Sequence, residues 1–178
     1  MPVTAQLNVT PDGFCNHDDV VIDDAFMRFA IDCLERSQRL VLGRKSYELF
    51  VAHWPQAARN KSLPEMEQKL GQAIDGIERT LVSRSVEASD WPGTTILSEL
   101  DRDAAGKLRS EGDILILGSP SIIDQFARWG LLDRLLLSVH PTIGGTGKRL
   151  FEDQMPAEME FAREFETGAN VKTFEFAR

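Results

Sequence analysis

A chain of 178 residues is the length of one ordinary domain, and its 42% hydrophobic and 27% charged residues exclude the disordered and fibrous classes. Its 28 acidic against 20 basic side chains give a net charge of −8, which repels polyanions and argues against a nucleic-acid surface. No stretch approaches 18 consecutive apolar residues, so no membrane-spanning helix is expected.

The first segment, "VTAQLNVTPDGF", alternates as a strand and then reaches turn chemistry at Pro11, Asp12 and Gly13. The opening "MPVTAQLNVTPDG" lacks the basic start and apolar block of a secretory signal, so a cytoplasmic location is expected. Phe26, Phe29, Ala30, Cys33 and Leu34 recur at helical spacing and predict a helix over 24–37, with Asp23 and Asp24 at its positive end.

"RLVL" is a short apolar run of the kind a parallel strand covered on both faces shows, and it stops at Gly43. A short helix through Tyr47, Leu49, Phe50 and Trp54 follows, closed by Pro55, and a second runs from Ser62 to Ile74. "ERTLVS" and "TTIL" are strand candidates around the turn-rich "ASDWPG", and a polar helix spans about 101–110. "DILILG" is the most apolar strand and runs into the helix "SPSIIDQFARWG".

The strand "RLLLSVHPTI" leads to the loop "GGTGK", after which "EMEFAREFET" and "NVKTFEFA" predict a hairpin around "GAN". Neither an internal repeat nor a linker interrupts the chain, so residues 1–178 are expected to form a single domain. Strands alternating with helices, then strands alone, imply an α/β sheet that is mostly parallel with an antiparallel edge.

In such a sheet the carboxyl ends of the strands form the binding crevice, because helices that start there point free N–H groups into it. Three strands end in small or polar residues: "LVLGRKS", "TLVSRS" and "LILGSPS". Arg44 and Arg84 can each fork onto a phosphate, and Ser46, Ser83, Ser85, Ser119 and Ser121 can offer hydroxyls. A single arginine after a strand is more often a solvated charge, so the weight rests on the three loops together.

"GGTGKR" is no phosphate loop. Thr142 stands where the Walker pattern needs a glycine, and Arg149 where it needs a hydroxyl. His17, His53 and His140 lie too far apart in sequence to predict a metal site, and two isolated cysteines, Cys15 and Cys33, read as inert thiols. There is no G-x-S-x-G nucleophile elbow.

In this order the three loops resemble the dihydrofolate reductase superfamily. "VLGRKSYE" is similar to its glycine-arginine-x-threonine motif, "LVSRS" to its adenine-side serine loop, and "DILILGSPSIIDQF" to its glycine-rich turn into a helix. "GLLDRLLLSVHPTIGGTGKRLF" and "TPDGF" resemble one branch, the reductase domain of riboflavin-biosynthesis deaminase-reductases and their free-standing relatives. Pro120, where dihydrofolate reductases have glycine, fits that branch.

The resemblance implies a dihydrofolate-reductase-like three-layer fold and an NADPH-dependent reductase of a small heterocyclic substrate, pterin or ribosylaminopyrimidine-like. It implies that Gly43, Arg44, Lys45 and Ser46 meet phosphate oxygens, and that Ser83 and Arg84 meet the 2′-phosphate and adenine side. Gly118, Ser119, Ser121 and Ile122 would line the pyrophosphate and nicotinamide half, with the Ala5 backbone beside the nicotinamide. Asp12 and Asp24 are the candidate polar or proton-donating groups, although Asp before Gly and Asp at a helix start are also ordinary turn and cap chemistry. Tyr47 and Trp54 are candidates to stack on a flat substrate. A homodimer with "HPTIGGTGK" near the contact is expected from the resemblance; a nucleotide-binding module without turnover and a purely structural protein are the rivals to the reductase reading.

Overall fold

In the computed structural model, which describes residues 1–151 and 159–178, each predicted strand and helix has a counterpart. The strands are β1 (Val3–Val9), β2 (Arg39–Gly43), β3 (Glu78–Val82), β4 (Thr94–Leu97), β5 (Ile114–Leu117), β6 (Arg134–Val139), β7 (Glu160–Gly168) and β8 (Val171–Ala177). The helices are α1 (Asp24–Glu35), α2 (Arg44–Ala57), α3 (Glu65–Gly76), α4 (Arg102–Glu111) and α5 (Pro120–Arg128). Of the predicted hairpin, Glu158 lies outside the described residues.

The eight strands form one sheet in the order β4-β3-β2-β5-β1-β6-β8-β7. The six strands from β4 to β6 in that order run parallel through five pairings, and β8 is antiparallel to both β6 and β7. This is the α/β architecture with an antiparallel end that the alternation of elements predicted. The apolar runs occupy the middle of the sheet: Ile114, Leu115 and Ile116 of β5 are at most 1% exposed. Burying each such side chain contributes about 1.5–3 kcal/mol before chain entropy is counted.

Strand order decides which face each helix covers. Right-handed crossovers that step outward from β1 to β2 to β3 place their helices on one face, and crossovers that step back toward β6 place theirs on the other. Two hydrophobic clusters record the outcome. Leu34, Tyr47, Leu70 and Ile74, from α1, α2 and α3, pack with Leu40, Leu42 and Leu81, whereas Ala105, Leu108, Ile123 and Phe126, from α4 and α5, pack with Val3, Ala5 and Ile116. The adjacent strands β2 and β5 therefore send their helices to opposite faces, which opens a crevice above their carboxyl ends.

Pro55 does not close α2, which continues to Ala57. Proline removes one N–H, but only that of residue 55, and Ala58 N still donates to Trp54 O at 2.9 Å. A Cβ at Gly71 of α3 would stand 2.6 Å from the Ala58 nitrogen, so only glycine lets α3 cross the end of α2 this closely. Beside them, the guanidinium of Arg79 is almost wholly buried. It donates to the carbonyls of Ile74 at 2.6 Å, Ile77 at 2.7 Å and Pro92, and lies 4.1 Å from the Trp91 ring centroid. This one side chain ties the end of α3 to the β3–β4 loop.

At the other end of the sheet Asp23, not Asp24, caps α1: its carboxylate accepts from Phe26 N at 2.8 Å and from Ala169 N at 2.5 Å. The same residue thus fixes the helix start and the tip of the β7–β8 hairpin, and these two N–H groups hold its carboxyl below the usual value. Burial pushes the Cys33 thiol up to about 12, consistent with an inert thiol.

Candidate functional site

The crevice is built around a latch between two strand ends. β5 stops at Leu117, and Gly118 and Ser119 follow with φ of 63° and 59°. These left-handed conformations turn the chain into α5, whose first residue is Pro120. Serine pays about 1–2 kcal/mol for that geometry. Its hydroxyl repays it by accepting from Gly43 N at 2.8 Å and donating to Ser46 Oγ at 3.0 Å. A Cβ on Gly118 would stand 3.2 Å from Ser46 Oγ, so the two turns fit only with small residues.

Outward from this latch lies a cleft of about 330 Å³. It gathers Gly43, Arg44, Ser83, Arg84, Ser121 and Ile122, which the sequence had spread over three separate loops. The starts of α2 and α5 meet here, so helix N–H groups and positive dipole ends converge with two guanidinium groups. Arg44 is half exposed and pairs with Glu48 at 3.2 Å, a surface contact worth only about 0.3–0.5 kcal/mol and readily exchanged for a phosphate. Ser83 Oγ accepts from Ser85 N at 3.3 Å and Val86 N at 3.2 Å, which shapes the loop that carries Arg84.

Four further lining residues, Ser98, Glu99, Leu100 and Gln125, were not singled out from the sequence. The signal was available. β4 pairs in parallel with β3, so the residues after "TTIL" must emerge level with "SRS". Gln125 follows Ser121 by one helical turn, and its amide donates to Ser121 O at 2.9 Å.

Several expected contacts are placed differently. Ala5 lies in mid-strand, paired with Ile116 and Leu135, and is fully buried in the α4–α5 cluster. Gly118 N donates to Gln6 O, so the crevice floor lies above Ala5 and the β1 residues nearer to it are Asn8 and Val9. Ser46 is buried and turned to Ser119, which makes it part of the latch, and Lys45 is exposed outside the lining.

Tyr47 is buried, its hydroxyl bonded to Ser89 and its ring 5.9 Å from Trp91, so it is a core residue and not a stacking platform. Trp54 packs edge-on to His53 and Phe50. It stands ten residues along α2 from Arg44, about 15 Å from the cleft.

Asp12 serves the fold. Its carboxylate accepts from Gly144 N at 3.1 Å and Gly145 N at 2.8 Å, pinning the "GGTGK" loop against the end of β1. The Thr10 hydroxyl and these N–H groups lower it to about 2, so at neutral pH it is an anion with no proton to donate. Asn16 adds a bond to Thr146 O at 2.7 Å, and His140 Nδ1 accepts from Val21 N at 3.0 Å. Asp24 is exposed on the first turn of α1, at the crevice end of the sheet.

A larger cleft of about 690 Å³ lies between α1 and the amino ends of β1, β5 and β6. Arg28, Arg36, Arg134 and Arg163 face Asp32, Asp113, Glu166 and Glu175 there, so the charges cancel. None of the predicted site residues reaches it. The smaller cleft at the strand ends, with two guanidinium groups to one carboxylate and two helix starts, is the candidate site.

Comparison with known proteins bears on the fold and the family. Bacillus subtilis (strain 168) has an uncharacterized protein, YyaP, that is 29% identical over 174 residues, spanning 93% of this chain and 90% of that one. The solved structure of a pyrimidine reductase-like protein from Corynebacterium diphtheriae superposes with a TM-score of 0.69 at 15% identity, over 99% of this chain and 91% of that one. Acinetobacter baumannii RibD superposes with a TM-score of 0.65 at 14% identity, over 99% of this chain and 58% of that one. At these identities the two structures speak for the fold alone. The family described as the RibD C-terminal domain matches residues 3–173. With a dihydrofolate-reductase-like sheet, a latched crevice at its switch point and a match over nearly its whole length, the chain belongs to the RibD C-terminal, reductase-like domain family.

Proposed function

We propose that the protein is an NADPH-dependent reductase of a small heterocyclic substrate, pterin-like or ribosylaminopyrimidine-like. The single observation that carries this reading is the convergence of Gly43, Arg44, Ser83, Arg84, Ser121 and Ile122 on one cleft at the switch point. The residues fit a dinucleotide: two guanidinium groups and two helix starts for phosphates, and a groove walled by Val82, Leu100 and Ile122 for a base.

NADPH, when bound, supplies the hydride; the protein supplies position. Arg44 and the first turns of α2 and α5 hold the pyrophosphate, and Ser83 and Arg84 hold the adenosine end. The Ser119 latch keeps the ends of β2 and β5 in register, so the two halves of the site stay at a fixed spacing. Asp24, exposed on the first turn of α1, is the remaining carboxyl candidate for a substrate contact, since Asp12 is committed to Gly144 and Gly145. The same features suit a nucleotide-binding module without turnover, which would bind NADPH but leave it unoxidised whatever acceptor is offered.

Titration by cofactor fluorescence tests the reading. Wild type should bind NADPH, and Arg44→Ala should lose about 1.5–3 kcal/mol of affinity, the value of a hydrogen bond to a charged group. Equal affinity of the two proteins would remove Arg44 from the phosphate site. Turnover with pterin and aminopyrimidine acceptors separates the reductase from the binding module.

A further inference from the structure

Glu99 is the one carboxylate in the lining of the strand-end cleft, in company with Arg44 and Arg84. Its place follows from the ladder. Val82 of β3 pairs with Leu97 of β4 in parallel, and Ser83 N donates to Leu97 O at 3.0 Å, so the pairing continues to the strand ends. Ser83 and Ser98 leave the sheet side by side, and Arg84 and Glu99 follow at the next step. Both of these side chains are exposed, and among the described residues no hydrogen bond or ion pair joins them.

Charge then divides the cleft. Arg44 stands at the start of α2 beside the latch, where a pyrophosphate would sit, while Arg84 and Glu99 line the cleft from the ends of β3 and β4. A 2′-phosphate brought there meets Arg84 and Glu99 at similar range, and the carboxylate cancels much of what the guanidinium gains. A free 2′-hydroxyl in the same place is a donor, and Glu99 is an acceptor for it; an acidic residue on the ribose 2′-hydroxyl is how dinucleotide sites take the unphosphorylated cofactor.

We propose that Glu99 sets the cofactor selectivity of this cleft, opposing the 2′-phosphate of NADPH and accepting the 2′-hydroxyl of NADH, so that the protein binds both dinucleotides with a shallow preference. This rests on the reading that the cleft holds the adenosine end of a dinucleotide. The effect is sizeable even in water. Coulomb's law in water gives a carboxylate and a phosphate of nearly two charges a repulsion that changes affinity about fivefold to tenfold for a separation on the order of 6 Å.

The experiment measures dissociation constants of wild type and Glu99→Gln for NADPH and for NADH, at low and high salt. Glutamine keeps the size of an exposed side chain, so the fold is not at issue, and circular dichroism confirms it. The wild-type preference should be below about tenfold. Glu99→Gln should tighten NADPH about fivefold or more, less so at high salt, while NADH is unchanged or weaker. An unchanged ratio of the two constants, with both dinucleotides bound, overturns the role of Glu99 and leaves the reductase reading standing. Failure of wild type to bind either dinucleotide overturns the reductase reading, and the role of Glu99 with it.

Discussion

Replacing Ser119 with alanine removes the latch while leaving the backbone trace unaltered. The hydroxyl accepts from Gly43 N at 2.8 Å and donates to Ser46 Oγ at 3.0 Å in a position only 7% exposed. Deleting it strands the Gly43 N–H and the Ser46 oxygen, a loss of about 1–3 kcal/mol. Alanine still carries a Cβ at φ 59°, so the left-handed strain stays and only its compensation goes. For a chain of this size about 2 kcal/mol lowers Tm by about 4–8 °C and moves the urea midpoint by about 1 M with an unchanged slope. Ser119→Gly loses the same hydrogen bonds but relieves about 1 kcal/mol of strain, so it should fall between alanine and wild type. Urea unfolding followed by tryptophan fluorescence reads all three. An alanine variant within 0.5 kcal/mol of wild type, or a glycine variant no better than alanine, would refute the latch.

Arg79→Met should lower stability by about 3 kcal/mol or more, because the carbonyls of Ile74, Ile77 and Pro92 lose their shared donor; Arg79→Lys should recover little of it, having no planar fork. Thermal unfolding of both variants checks this. Burial lowers the folded-state value of His140, so the unfolded chain binds the proton more readily and stability falls as pH drops below the ordinary imidazole value of 6.5. His140→Asn keeps an acceptor for Val21 N and should flatten, without abolishing, the decline in Tm between pH 7 and 5; an unaltered slope would assign the decline to other groups.

The order of elements was legible because the central strands are short apolar runs, the outer ones alternate, turn signals separate them, and the helices show their own period. "LVLGRKS", "LVSRS" and "LILGSPS" pointed to the crevice because parallel strands must end on one side of the sheet. What the residues do to one another was hidden. Ser46 and Ser119 read as phosphate ligands until the fold set their hydroxyls 3.0 Å apart, and Asp12 read as a substrate contact although its partners lie over 130 residues away. Tyr47 and Trp54 differ from surface aromatics only in which side of α2 faces α3 and the β3–β4 loop. Glu99 came to light only once β4 was paired with β3, and Gln125 once the turn of α5 set it above Ser121.

The claim at the centre of this account is that the dinucleotide occupies the strand-end cleft and not the larger one beneath α1. Hydrogen exchange with and without saturating NADPH separates them in one experiment. Protection confined to residues 43–46, 82–85, 98–100 and 118–125 is the predicted result. Protection over 25–36 and 163–167 with the strand ends unchanged would contradict it.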